Sequence, residues 1–196
     1  MAHQIYHTEG FILEKRDFKE ADSLLFILTK DFGLIPVLAL GLRRLPSKLR
    51  YQAVLFNHTN LSLVKGREWW RLVAAEETDL SRTLKRKTKK KAIYLRSLIL
   101  LRQFFHGEED DQLVFNDFKR GLIFLAQENL SESAYQNFEC ILVLRVLKLL
   151  GYLKDEPSLR QFLLFSEWSH EIIQAMTDKQ QPAISLINSS FAAASV

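Results

Sequence analysis

The chain has a single cysteine, Cys140, in 196 residues. One thiol cannot close an internal disulfide or build a cysteine-based zinc ribbon. Glycine (7) and proline (4) are scarce as well. No glycine-rich phosphate loop and no Gly-x-Ser-x-Gly elbow occurs. The histidines, at positions 3, 7, 58, 106 and 170, lie far apart. Only His3 and His7 stand at a metal-like spacing, and isolated strand or surface histidines are the ordinary reading. No apolar run reaches the roughly 20 residues of a membrane span. The densest, Ile141 to Leu150, is interrupted by Arg145 and Lys148. The opening Met1-Ala2-His3-Gln4 has neither a basic nor an apolar leader segment. Catalysis needs polar groups that converge, and no such constellation stands out. The expectation is a cytoplasmic protein with no membrane contact, no enzymatic activity, no metal and no other cofactor.

What is present is apolar material for a core and an uneven spread of charge. Residues 1–100 hold 19 Lys and Arg against 10 Asp and Glu, a balance of +9. Residues 101–196 hold 8 against 13, a balance of −5. A basic half joined to an acidic half suggests that one half meets a polyanion and the other does something else.

The first eighty residues read as β. Ile5 to Glu14, Leu24 to Thr29, Leu34 to Leu40 and Trp69 to Ala74 alternate or run apolar between turn signals such as Lys30-Asp31-Phe32-Gly33 and Lys65-Gly66-Arg67-Glu68. Ala53 to Phe56 and Leu61 to Val64 read as one long, bent strand. Five strands in so short a segment bury two faces best by closing, and the five-stranded OB-fold is the usual solution. From Asp79 the period becomes helical. Asp79 or Ser81 is a candidate cap. Amphipathic helices follow over Ala92–Phe105, Leu113–Leu125 and Ala134–Leu150, the last apolar on most faces and closed by Gly151. The fold class is therefore α+β: an OB-type barrel over 1–79 followed by an all-α domain over 80–196.

Two acid-free basic clusters carry the strongest chemical signal. The first, after the third strand, contains Arg43, Arg44, Lys48 and Arg50. The second contains Arg82, Lys85, Arg86, Lys89 and Lys90 and, if helical throughout, aligns these on one face. Such arrays suit a phosphate backbone, which releases counterions when neutralised and requires no base readout. Lys15, Arg16, Lys65, Arg67 and Arg71 add charge to the barrel. Phe18, Tyr51, Trp69 and Trp70 are candidates to stack on bases. Trp69 and Trp70 are neighbours, so in a strand one faces the core and the other outward. The acidic run Glu108 to Asp111 is read as a solvated linker.

The run Glu9-Gly10-Phe11-Ile12-Leu13-Glu14-Lys15-Arg16-Asp17-Phe18-Lys19-Glu20-Ala21-Asp22, followed by Leu28-Thr29-Lys30-Asp31-Phe32-Gly33, by Leu38-Ala39-Leu40-Gly41-Leu42-Arg43-Arg44, by Ser47-Lys48-Leu49-Arg50 and by Phe138 to Tyr152, resembles the RecO family of bacterial recombination mediators. The resemblance implies an OB-fold and a helical domain, binding of single- and double-stranded DNA, and strand annealing. It also implies partnership with RecR and with the C-terminal tail of single-stranded-DNA-binding protein, indirect service to the recombinase RecA, and a place at the nucleoid. It would put Arg43, Arg44, Lys48 and Arg50 on DNA. For an acidic tail ending in a free carboxylate it implies an apolar groove near Phe138–Leu150, with Arg145 or Lys148 supplying charge. Many relatives carry a four-cysteine zinc site just after the Leu-Gly-Tyr motif. Here Gly151-Tyr152-Leu153-Lys154 continues without cysteine, so a shortened form lacking that insertion is expected. An OB-fold interaction scaffold without mediator activity, or an RNA-binding protein, are the alternatives.

Overall fold

The computed structural model describes residues 4–45, 47, 49–105, 111–163 and 167–194. His3, Lys48, His106 and the acidic residues Glu108, Glu109 and Asp110 lie outside them. Contacts divide the chain into two units, 1–91 and 92–196.

In the first unit, β1 (Ile5–Phe18), β2 (Asp22–Thr29), β3 (Gly33–Ala39), β4 (His58–Lys65) and β5 (Trp70–Glu77) close in the order β1-β2-β3-β5-β4. This is the topology of a five-stranded OB barrel. β1 is long enough to serve two neighbours. Its first half pairs with β4 and its second with β2, and Gly10 pairs at once with Thr29 and Thr59. A Cβ at Gly10 would stand 2.7 Å from the Ile27 side chain. The seam therefore closes only around glycine. Ile12, Leu25, Ile27, Val37, Leu63 and Leu72 fill the interior, which is why alternate residues on the same strands face outward.

The expected strand at Ala53–Phe56 does not form. Leu49–Gln52 is a single helical turn, α1, and Ala53 packs into the barrel core. A four-residue apolar run has no decisive period, and here only Ala53 enters the core while Val54 stays exposed and the run does not join β4. The expected helix through 82–91 is also interrupted. It forms as α2 (Asp79–Arg86) and α3 (Thr88–Phe104), with Lys87 extended between them. One continuous helix would stack like charges at Arg82/Arg86, Lys85/Lys89, Arg86/Lys90 and Lys87/Lys91, each pair costing some tenths of a kcal/mol. Thr78, not Asp79 or Ser81, caps α2 by accepting from the Ser81 amide.

The second unit centres on α5 (Glu132–Leu149), which packs against α4 (Asp111–Gln127), α6 (Arg160–Leu163), α7 (His170–Ala175) and α8 (Gln180–Ala194). Ser131 caps α5, and Gly151 at positive φ ends it. Among the described residues no helix is long and apolar enough to cross a membrane.

Candidate nucleic-acid interface

Strand register builds one outward row across the barrel. Arg16 on β1 stands opposite Leu24 on β2, Leu24 opposite Leu38 on β3, and Leu38 opposite Arg71 on β5. The row is an apolar pair bracketed by two arginines. In the next outward row, Phe26 lies under the Arg16 guanidinium, 4.7 Å from ring centre to Cζ. Arg16 is partly engaged, since its Nε donates to Glu14 at 2.6 Å.

Two loops frame this face. The β1–β2 turn brings Phe18 and Lys19; the β4–β5 turn brings Lys65, Arg67 and Trp69. Phe18 and Trp69 meet edge to face with centroids 5.0 Å apart, and the Lys19 ammonium lies 5.4 Å over the Phe18 ring. Gly66 shapes the second turn: its amide donates to the Trp69 carbonyl, and a Cβ there would overlap that oxygen. Trp69 is thus held at the rim, half-buried, while Trp70 packs on the core beside Tyr6 and Phe32. A depression of about 670 Å³ opens between Leu38, Lys65, Arg67, Trp69 and Arg71, with Glu68 its one acidic wall residue. The outer face of strands two and three with these two loops is where OB barrels take oligonucleotides.

The loop after β3 is fastened to the same rim. The Gly41 amide donates to Asp22, the Arg43 amide to the Ala21 carbonyl, and the Arg43 guanidinium lies 3.3 Å from Asp17. Arg43 is therefore largely a tie between loops, and Arg44 beside it is exposed without an ion pair among the described residues. Lys15, Arg50, Arg67, Arg71 and Arg86 are likewise exposed and unpaired among the described residues.

The second basic cluster is more heavily engaged. Arg82 pairs with Asp79 at 2.9 Å, and Lys85 donates to Glu77 at 2.8 Å and also to Asn57. Lys89 is exposed, but Lys90 is buried at 2% exposure. Lys90 is therefore not presented to a phosphate chain. Arg145 is fully buried too, donating from Nε to the Phe162 carbonyl and lying 3.5 Å from Asp117. It is not offered to a carboxylate ligand in solution, whereas Lys148 on the same helix is exposed. Cys140 is buried on α5, its thiol pushed up to about 11 by desolvation and by Glu139. No group of metal-ligating side chains occurs among the described residues, and one cysteine cannot furnish a four-cysteine zinc site.

The ties that hold α2 have a testable pH signature. Burial raises the Glu77 pKa, but hydrogen bonds from Lys85 and Ser81 and the nearby positive charges outweigh it and hold the group below its ordinary range. A depressed carboxylate contributes stability above its unfolded pKa, about 4.3, and loses it as pH falls through the folded value. In urea unfolding at pH 7 and pH 3, Glu77→Gln is expected to lower stability at pH 7 and shrink the difference between the two pH values. An unchanged difference would show that the Lys85 contact contributes nothing.

Residues 1–80 match the family model described as Recombination protein O N terminal. The chain is 30% identical over 153 residues to the DNA repair protein RecO of Alkaliphilus metalliredigens, covering 78% of this chain and 59% of that protein. It is 38% identical over 99 residues to DNA repair protein RecO of Gloeothece citriformis, covering 48% of this chain and 34% of that one. It is 41% identical over 71 residues to that of Acaryochloris marina, covering 36% and 24%. The chain thus spans less than two thirds of the length of each of these relatives.

Proposed function

We propose that the chain is a non-catalytic DNA-binding mediator of recombinational repair: residues 1–80 match the family model of the Recombination protein O N terminal, and the wider chain is similar to DNA repair proteins RecO. The observation that carries this reading is the Phe18–Trp69 contact, which joins both rim loops over a face lined by Leu24 and Leu38 between Arg16 and Arg71. Unpaired bases stack on aromatic and apolar surface, while cations on either side follow the phosphates. Arg16, Arg43 and Arg44 serve this face, and Arg71, Lys19 and Arg67 join them; Lys15, opposite Leu25 in the register, lies on the other side of β1.

The finer activities belong to the same proposal: binding of single and double strands, annealing, action at the nucleoid, and delivery of RecA together with RecR. The tail of single-stranded-DNA-binding protein would dock on the helical unit. An apolar groove of about 460 Å³ between α5 and α8, walled by Cys140, Val143, Ile184, Ile187 and Phe191, suits its apolar end. Lys148, and not the buried Arg145, is the cation of the pair able to meet its carboxylate.

Fluorescence anisotropy with a labelled single-stranded oligonucleotide, taken through a salt series, tests the reading. Four neutralised phosphates give a log–log slope of about −3. Absence of binding at low salt would overturn it, and equal affinity for RNA of the same sequence would favour an RNA-binding module instead.

A further inference from the structure

The two basic clusters do not form one continuous surface with the rim at Trp69. Arg43 and Arg44 stay at that rim, whereas Arg50, at the end of the first cluster, and the second cluster lie at the opposite pole of the barrel. Trp69 precedes the first residue of β5, and Glu77 is the last; seven strand steps separate Trp70 from Glu77 by roughly 23 Å. At the Glu77 end, α1 and α2 are moored to the same two residues. Gln52 of α1 accepts from the Glu77 amide and, through its carbonyl, from Asn57. Lys85 of α2 donates to Asn57 and to the Glu77 carboxylate. The end of the first basic cluster, with Arg50, is thereby brought to the same pole as the second, with Arg86.

Next to Gln52 stands Tyr51, 73% exposed, with no hydrogen-bond partner among the described residues. An exposed tyrosine alone is unremarked surface. This one is flanked by Arg50 and shares its pole with Arg86, both exposed and without ion pairs among the described residues. No Asp or Glu occurs in the sequence from 32 to 67 or from 80 to 107, and of the acid at this pole, Glu77 and Asp79 are taken by Lys85 and Arg82. A surface of unpaired cations around a bare aromatic ring complements a ligand that carries phosphates and π-faces together. The cavity that Gln52 shares with Glu9, Asp31 and Glu76 is acidic and repels phosphate, and Tyr51 is not part of its wall.

We propose that this pole is a second contact for single-stranded nucleic acid, separate from the Phe18–Trp69 face, in which Tyr51 stacks on an unpaired base and Arg50 and Arg86 hold the flanking phosphates. The inference rests on the reading of the barrel as a nucleic-acid module. It adds that one barrel engages two stretches of strand at its two poles, an arrangement that holds two strands, or two parts of one, close together.

Photo-crosslinking of the full chain to a single-stranded oligonucleotide containing 5-bromodeoxyuridine, followed by peptide mapping, distinguishes the cases. Adducts are expected on the peptide containing Tyr51 and on that containing Trp69. Tyr51→Ala abolishes the first adduct, leaves the second, and weakens binding on the order of tenfold. Tyr51→Phe retains stacking and restores both adduct and affinity. An adduct at Trp69 alone, with Tyr51→Ala binding like the parent, overturns the second contact while leaving the proposed function intact. A pole that crosslinks only when the probe is duplex overturns the base-stacking role. Failure of the chain to bind any oligonucleotide removes the proposed function and this inference together.

Discussion

Trp69→Ala is expected to weaken binding of single-stranded DNA by about five- to 150-fold. The range follows from the roughly 1–3 kcal/mol that one base–aromatic stack contributes when truncated. The indole is only half-buried, and its recorded aromatic neighbour is Phe18, so the loss falls on binding more than on folding. A thermal melt close to that of the parent is the control. Phe18→Leu keeps apolar bulk beneath the indole and should cost less, because it shifts the platform without removing it. Duplex affinity should fall little in either variant, since paired bases offer no free face and the phosphate contacts persist. Titration of both variants with labelled single strand and duplex at one salt concentration reads all of this. Equal losses on the two ligands would show that Trp69 supports the fold of the β4–β5 loop and does not meet bases.

The barrel was legible because its strands alternate or run apolar between recognisable turns. The helical unit was legible because its period is long and consistent. What could not be read was how charges are shared across register. Within 43–50 and 82–91 there is no acid, and both runs look uniformly available. Yet Asp17, from the end of β1, reaches Arg43, and Glu77 and Asp79, just upstream of α2, take Lys85 and Arg82. The second window begins a few residues after the acids that neutralise it, and the first meets its acid, Asp17, only through the fold of the barrel. Burial is equally invisible to a charge count: Lys90 and Arg145 are basic in sequence and enclosed in the structure.

Arg71 is the converse case. It is one of several dispersed cations in the sequence, and only the parallel pairing of β3 with β5, which sets Leu38 opposite it, places it at the edge of the apolar row. A partial signal did exist. β2 and β3 are apolar at nearly every position, Leu24 to Leu28 and Leu34 to Leu40, so their outward residues are apolar too. In a barrel whose outer face meets solvent, that departure from alternation leaves apolar side chains outward, as the proposed base-stacking face requires.

Arg145→Ala is expected to destabilise the helical unit by about 3–5 kcal/mol, the cost of leaving a buried ion pair without one partner. The guanidinium is 0% exposed. It ties three parts of the unit together: the Phe162 carbonyl at the end of α6, Asp117 on α4, and the Trp168 ring, whose centroid lies 4.4 Å from its Cζ. Desolvation is the leading influence on both charged groups, raising the Asp117 pKa and lowering that of Arg145, while their mutual attraction opposes it. The pair is therefore costly to bury and more costly to halve. Arg145→Met fills the volume but still strands Asp117 with Arg120, at 3.3 Å, as its one remaining cation among the described residues. The double replacement Arg145→Met with Asp117→Leu removes both charges and should recover much of the loss. Gly121→Ala attacks the same centre sterically, because a Cβ there would stand 2.9 Å from the Trp168 ring. Urea unfolding of the four variants, followed by circular dichroism, gives the order: Arg145→Ala least stable, Arg145→Met intermediate, the double variant nearest the parent, and Gly121→Ala below the parent. Single-strand binding should survive in all of them under folding conditions, since these residues belong to unit 92–196 and the Phe18–Trp69 face to unit 1–91. An Arg145→Ala loss below about 1 kcal/mol would mean that the cavity admits water to Asp117 and that the pair does not pin the unit.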